Sequence, residues 1–266
     1  GRTARPFRVT DNGAPVPAIL DRKWYLGYNS ADDATREQIA AFLQRQTYGS
    51  RSIYERDLHA ANVRALENAA TLLTARDQVL ALTTEFPTTS LGKQLKAVAE
   101  TINVQQILGT SRQVFYVTTG GYDTHNNQSN DIGRRHTELA DALAAFRLAL
   151  LEINRWNQTV LFTASDFGRT TIDNGSGTDH GWGGHQFVMG GPVRGRRIYG
   201  SLPGPEVGME SYMPTRGRMI PSHSVEQYAA TIGRWWGLSG SEMLGALPNL
   251  RNFNDTNMGF LQLTQF

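Results

Sequence analysis

Thr159-Val-Leu-Phe-Thr-Ala-Ser-Asp-Phe-Gly-Arg169 is the stretch on which the reading of the fold turns. Val160, Leu161 and Phe162 form a short apolar run that stops abruptly at polar and glycine residues, the pattern of a strand buried on both faces. Upstream, Val114-Phe-Tyr-Val-Thr-Thr119 has the same β-branched and aromatic character. Between the two, the spacing predicts a helix from about Gly133 to Arg155, with Leu139, Leu143, Phe146, Leu150 and Ile153 on one face. Strand, helix, strand is a βαβ unit, and such units imply a parallel sheet. The fold expected is α/β: a doubly wound, mostly parallel sheet with helices on both faces, plus a helical amino-terminal half. In open sheets of that kind ligands bind beyond the carboxyl ends of the strands. Both predicted strands end in carboxylate-bearing loops.

Outward from this unit, residues 1–30 read as an irregular arm and 31–266 as a single α/β domain, part of a larger one. Its helical section covers about 31–110 and its sheet and site section about 111–266. The helical section should hold three helices. One starts at Asp32 and carries Ile39, Ala40, Phe42 and Leu43. The second runs from about Ser52 to Leu82 with Leu58, Ala61, Leu66, Ala69, Leu73 and Leu80 on its buried face, and the third from Ser90 to about Leu108. Beyond Arg169, 186–190 and 197–200 read as short strands. A Gly-, Pro- and Met-rich excursion comes next, and then an amphipathic helix from about Ser222 to Trp236.

The chain has 266 residues, a formal net charge of +2 and no cysteine. Disulfides, thiolate metal sites and cysteine nucleophiles are thereby excluded, so any metal must sit on histidine and carboxylate. The densest basic group, Arg194, Arg196 and Arg197, is too small to suggest nucleic acid. Nothing in the chain approaches an apolar run of about eighteen residues, so no membrane-spanning helix is expected. Gly1-Arg-Thr-Ala opens the chain without Met or a signal peptide, as expected of a processed product or a piece of something longer.

Chemistry concentrates after the two predicted strands. Asp123 and His125 are two residues apart, which on an extended backbone points both side chains the same way. They read as metal ligands, or Asp123 as a loop cap. The Gly-rich loop after Asp166 carries Asp179, His180 and His185. With Asp166 at its start, two carboxylates and two imidazoles meet in one such stretch, the ingredients of a metal site. Asp166, at a strand end, either binds a cation or caps the next turn of the chain. Arg169 is a fork donor for an oxyanion such as phosphate, or an ion-pair partner of Asp166 or Asp173.

Three blocks, Gly120-Gly-Tyr-Asp-Thr-His-Asn-Asn-Gln128, Thr163-Ala-Ser-Asp-Phe-Gly-Arg169 and Gly175-Ser-Gly-Thr-Asp-His-Gly181, resemble domain-of-unknown-function family 1501. So do the stretches from Gly217 to Leu238 and from Leu247 to Phe253. The resemblance implies the alkaline phosphatase and sulfatase superfamily, with its doubly wound sheet and a metal site at the strand ends. It implies metal ligation by Asp123, His125, Asp179, His180 and His185, with Asp166 standing where the family more often has Glu. Zinc, calcium and magnesium all fit that expectation. The usual amino-terminal strand and its Gly-Gly-x-Asp-Gly-like stretch have no equivalent in residues 1–60, which implies a separate chain or segment supplying them.

On these grounds the expected protein is a metal-dependent hydrolase of phosphate or sulfate esters, small or polymeric, with Arg169 and Asp166 as catalytic groups. It is expected to be bacterial and exported, to the periplasm or outside the cell. The alternative is a non-catalytic structural or assembly protein that keeps the fold and associates through its helical half.

Overall fold

The structure, a computed structural model, describes residues 8–9, 15–16, 34, 37–38, 41, 52–201 and 217–262. The chain forms two compact units, residues 1–119 with 138–153 and residues 120–137 with 154–266.

In the first unit, β1 (Arg8–Val9) and β2 (Pro15–Val16) pair antiparallel. The unit contains α1 (Ile53–Arg76) and α2 (Ser90–Asn103), and it also takes the carboxyl-terminal part of α3 (Gln128–Glu152). Of the face expected on α2, Leu91, Leu95 and Ile102 are buried, with Ala99 joining them. Val98 is only partly buried, and the helix ends at Asn103, five residues short of its expected end, leaving Ile107 beyond it and 43% exposed. Thr89 caps it by accepting a hydrogen bond from the Gly92 amide at 3.2 Å. Leu72, Ala75 and Val104 form a buried cluster with Val79 and Leu108 against it. On α3, Ala142, Ala145, Phe146, Ala149 and Leu150 are buried. At its last residue, Glu152 receives the amides and hydroxyls of both Thr83 and Thr84 at 2.6–2.9 Å.

Of the helix expected from Asp32, the described residues Ala34, Glu37, Gln38 and Ala41 are helical, whereas Ile39, Ala40, Phe42 and Leu43 lie outside the described residues. So do the side chains of Leu58, Leu66, Ala69 and Leu73. Of the remaining positions assigned to that buried face, Ala61 and Leu80 are exposed. Helix α1 stops at Arg76, six residues before the predicted end.

The second unit overturns the parallel sheet. Its strands are β3 (Val160–Phe162), β4 (Gly168–Asp173), β5 (Thr178–Gly181) and β6 (Val188–Gly190). Strand β3 pairs antiparallel with β6, Val160 opposite Gly190 and Phe162 opposite Val188. Strands β4 and β5 form a separate antiparallel hairpin. Every sheet among the described residues is two-stranded and antiparallel, so there is no doubly wound, alkaline-phosphatase-like sheet with helices on both faces. The βαβ inference failed at its first strand. Val114–Thr119 is extended but enters no ladder among the described residues. Val114 and Tyr116 alternate outward at 79% and 91% exposure. The Gln94 side-chain amide takes the place of a neighbouring strand, accepting from the Thr118 amide and donating to the Thr118 carbonyl at 3.1 and 2.9 Å. A short apolar run cannot name its partner, and the glycines after β3 let the chain turn back on itself instead of crossing over. The strand expected at 197–200 is likewise absent.

Helix α4 (Val225–Trp236) closes this unit. Ser224 caps it in a reciprocal box with Gln227, and Gly237 ends it in the left-handed conformation. Trp235, Phe260 and Leu261 are buried together, with Val160, Val188, Tyr228 and Ile232 packed on them. The β3–β6 ribbon therefore rests on the same core as α4. Tyr228 reaches from the helix to donate to the Thr163 carbonyl at 3.2 Å, fixing the chain where it leaves β3 for the hairpin. Burial pushes its phenol up, so it stays a donor. A second cluster joins Ala230 with Met243 of α5 (Gly240–Ala246) and Leu250. Among the described residues no helix is long and apolar enough to cross a membrane.

Candidate metal centre

The β4–β5 hairpin supplies one wall of the site. Thr170-Thr-Ile172 and Thr178 favour extended backbone, and Asn174-Gly175-Ser176-Gly177 turns the chain between them. Asn174 stabilises that turn, its Oδ1 accepting the amides of Ser176 and Gly177 at 3.2 and 2.9 Å. Pairing places Arg169 directly opposite His180, with a register shift between Arg169 and Asp173.

The other wall is the loop 122–128, which the hairpin grips through its backbone. The Thr178 amide donates to the Thr124 carbonyl at 3.1 Å, and the Gln128 amide to the Ser176 carbonyl at 3.0 Å. The Asn127 amide donates to the Ser176 hydroxyl at 2.9 Å. Such closeness needs glycine at 177, where a Cβ would stand 2.3 Å from the Thr124 carbonyl oxygen and 2.5 Å from the His125 carbonyl carbon. Gly168 is similarly pressed, a Cβ there falling 1.8 Å from the Gly183 carbonyl oxygen.

This clamp brings three side chains to one point. Asp123 Oδ1 lies 2.9 Å from His125 Nε2 and 2.9 Å from His180 Nε2, and the two ring nitrogens are 3.2 Å apart. Ligand atoms bound at 2.0–2.1 Å with tetrahedral or octahedral angles sit roughly 2.9–3.4 Å from each other. The triangle has that size, and its donors (two imidazoles and one carboxylate) are a recognised set for zinc and other borderline divalent ions. Among the described residues, Asp123, His125 and His180 are the group of histidines and carboxylates close enough to share an ion. All three side chains are about half exposed, so an ion held there would keep positions open to solvent.

Surrounding groups hold the triangle in shape. The Arg169 guanidinium pairs with Asp123 Oδ1 and donates to the Thr178 carbonyl and, at 3.0 Å, to the Thr178 hydroxyl. Desolvation is the largest single influence on the Asp123 carboxyl and pushes it up. Hydrogen bonds from Arg169 and His180 and the charges of both imidazoles together outweigh it and hold the group below the usual carboxylate range. Phe167 stacks on His180, ring centres 3.7 Å apart and planes 17° apart. Asp179 Oδ1 stands 3.5 Å from His125 Nδ1, on the far side of the ring from the triangle.

Of the seven positions singled out in the sequence, the structure thus gathers five. Asp123, His125 and His180 form the triangle, and Arg169 and Asp179 border it. Arg169 pairs with Asp123 and not with Asp166 or Asp173. Asp166 sits exposed at a bend before β4, and His185 is exposed between β5 and β6; neither belongs to the triangle. Asn174, Phe167 and Thr178 went unnoticed in the sequence. An Asn-Gly pair between β-branched segments does signal a hairpin, and would have put Asn174 at the turn. No sequence signal marks Phe167 as the ring that covers His180.

A solvent-open cluster of two histidines and one aspartate, carried by a hairpin clamped to a loop, defines a candidate divalent-metal protein. The chain belongs to the DUF1501 family, a family of proteins of unknown function, whose match covers residues 1–244. No curated protein and no solved structure matches it.

Proposed function

We propose that the protein binds one divalent metal ion at Asp123, His125 and His180 and uses it to hydrolyse a phosphate or sulfate ester. The observation that carries this reading is the triangle of three ligand atoms at 2.9, 2.9 and 3.2 Å, open to solvent. Structural zinc sites are closed by four protein ligands, whereas catalytic ones leave a position for water or substrate. Two nitrogen donors favour zinc or another borderline ion over calcium and magnesium, which prefer oxygen. The bound ion would polarise the ester oxygen and acidify a coordinated water. Asp123 and the two histidines bind. Arg169 keeps Asp123 ionised and its own positive charge beside the place where an anionic ester would arrive. The ester chemistry is supported by the likeness of the Gly120–Gln128, Thr163–Arg169 and Gly175–Gly181 blocks to the DUF1501 family, which implies the phosphatase and sulfatase superfamily; the strand arrangement lends it nothing. Action outside the cytoplasm, and a further segment or chain completing the site, belong to the same proposal and rest on that likeness.

One observation favours the non-catalytic alternative. Arg169 already neutralises Asp123 and spends its donors on that carboxylate and on Thr178, so the cluster is charge-balanced without a cation. The two readings separate in one experiment. Metal content of the purified protein is measured, and turnover of 4-nitrophenyl phosphate and 4-nitrophenyl sulfate is followed with zinc, manganese, calcium and magnesium. Stoichiometric binding with turnover lost in Asp123→Ala is expected. Binding without turnover of either ester class would leave a metal-stabilised structural protein, and absence of binding would remove the site.

A further inference from the structure

We propose that Asp179 and Asn174 form a positioning relay that fixes the tautomer and orientation of His125, with Asp179 outside the metal's ligand set. This rests on the metal-site reading above. The chain of contacts starts at the turn. Asn174 Oδ1 is committed to the amides of Ser176 and Gly177, so its amide nitrogen must face the other way. That nitrogen donates to Asp179 Oδ1 at 3.2 Å and to the His125 backbone carbonyl at 3.1 Å. One side chain therefore sets the position of both the carboxylate and the histidine it faces. Asp179 is held from its backbone too, its amide donating to the Thr170 hydroxyl at 3.0 Å.

The carboxylate so placed meets His125 at Nδ1, at 3.5 Å, while Nε2 of the same ring belongs to the triangle. The two nitrogens of an imidazole point away from each other, so a carboxylate on the Nδ1 side cannot share an ion held on Nε2. It can accept the Nδ1 proton. Placing the proton there leaves the Nε2 lone pair aimed at Asp123 and His180, which is the tautomer a metal requires. His180 has a different support, Phe167 stacked on its ring and Arg218 donating to its carbonyl at 3.2 Å. The adjacent residues Asp179 and His180 thus divide the work, His180 binding and Asp179 orienting the opposite histidine.

The test measures zinc affinity by chelator competition in wild type, Asp179→Ala, Asp179→Asn, Asn174→Ala and His180→Ala. Loss of such an outer partner costs metal affinity about 10–100-fold. That loss is expected in Asp179→Ala and Asn174→Ala. Partial recovery is expected in Asp179→Asn, whose amide oxygen can still accept from Nδ1. His180→Ala should fall further, as a lost ligand. Wild-type zinc binding matched within twofold by Asp179→Ala would overturn the relay and leave the metal site standing. Failure of wild type to bind would overturn the metal site itself. If Asp179→Ala does not fold, the imidazole nitrogen spectrum of wild type decides: a proton on Nδ1 of His125 supports the relay, and a proton on Nε2 in the zinc-loaded protein sinks it.

Discussion

His125 Nε2 and His180 Nε2 stand 3.2 Å apart although 55 residues separate them in the chain. Two ring nitrogens at that distance can share one cation, and Asp123, 2.9 Å from each, supplies the negative charge. Removing either histidine or Asp123 should therefore lower zinc affinity by more than about 100-fold, beyond the range typical of outer contacts. Zinc should raise the melting temperature of wild type and leave that of His125→Ala unchanged.

Gly177 is where the two walls of the site touch. Gly177→Ala introduces a methyl against the Thr124 carbonyl and the His125 backbone, neither of which can rotate away. A cost of about 1–3 kcal/mol is expected from overpacking. Urea denaturation gives that loss, and zinc affinity should fall with it because Asp123 and His125 move with their loop.

Glu152 is a pH-sensitive tie within the first unit. The Thr83 amide, with the Thr84 hydroxyl and amide and the Thr83 hydroxyl, holds its carboxyl at about 2 against an ordinary 4.5. A depressed carboxyl pKa stabilises the fold above its unfolded value and loses that contribution as pH falls through the folded value. Glu152→Gln should then cost on the order of 1 kcal/mol at neutral pH, discounted for solvent screening. The gap between wild type and variant should shrink below pH 4.5 and close near pH 2. A gap that is constant with pH would show that the carboxylate charge is not what Thr83 and Thr84 read.

Ser224→Ala removes the cap of α4, the helix that backs the β3–β6 ribbon. Its hydroxyl accepts the Gln227 amide at 3.1 Å, and Gln227 returns the bond to the Ser224 amide at 2.9 Å. A loss of about 1 kcal/mol is expected. It should appear as a lower denaturation midpoint at unchanged slope.

The sequence by itself determined what is local. Helix α2 and its buried face were legible because residues three and four apart meet whatever the rest of the chain does. The same holds for α4, whose capping serine sits within hydrogen-bonding reach of its own first turn. The chemical character of the site was legible too: with no cysteine, any metal ligands had to be imidazoles and carboxylates, and the glycine-rich loops marked their neighbourhood. Tertiary structure alone decided which strand lay beside which. Val160–Phe162 could pair in either direction, and its partner, Val188–Gly190, is chosen by a non-local ladder that no window of residues encodes. It also sorted the acidic and imidazole groups by depth around one point. Asp179 and His180 are chemical neighbours in sequence, yet the clamp at Gly177 turns His180 into the triangle and leaves Asp179 behind the ring of His125. Asp166 and His185 share the same loops and fall outside, because hydrogen bonds between hairpin and loop, not proximity along the chain, set the distances that a cation can bridge.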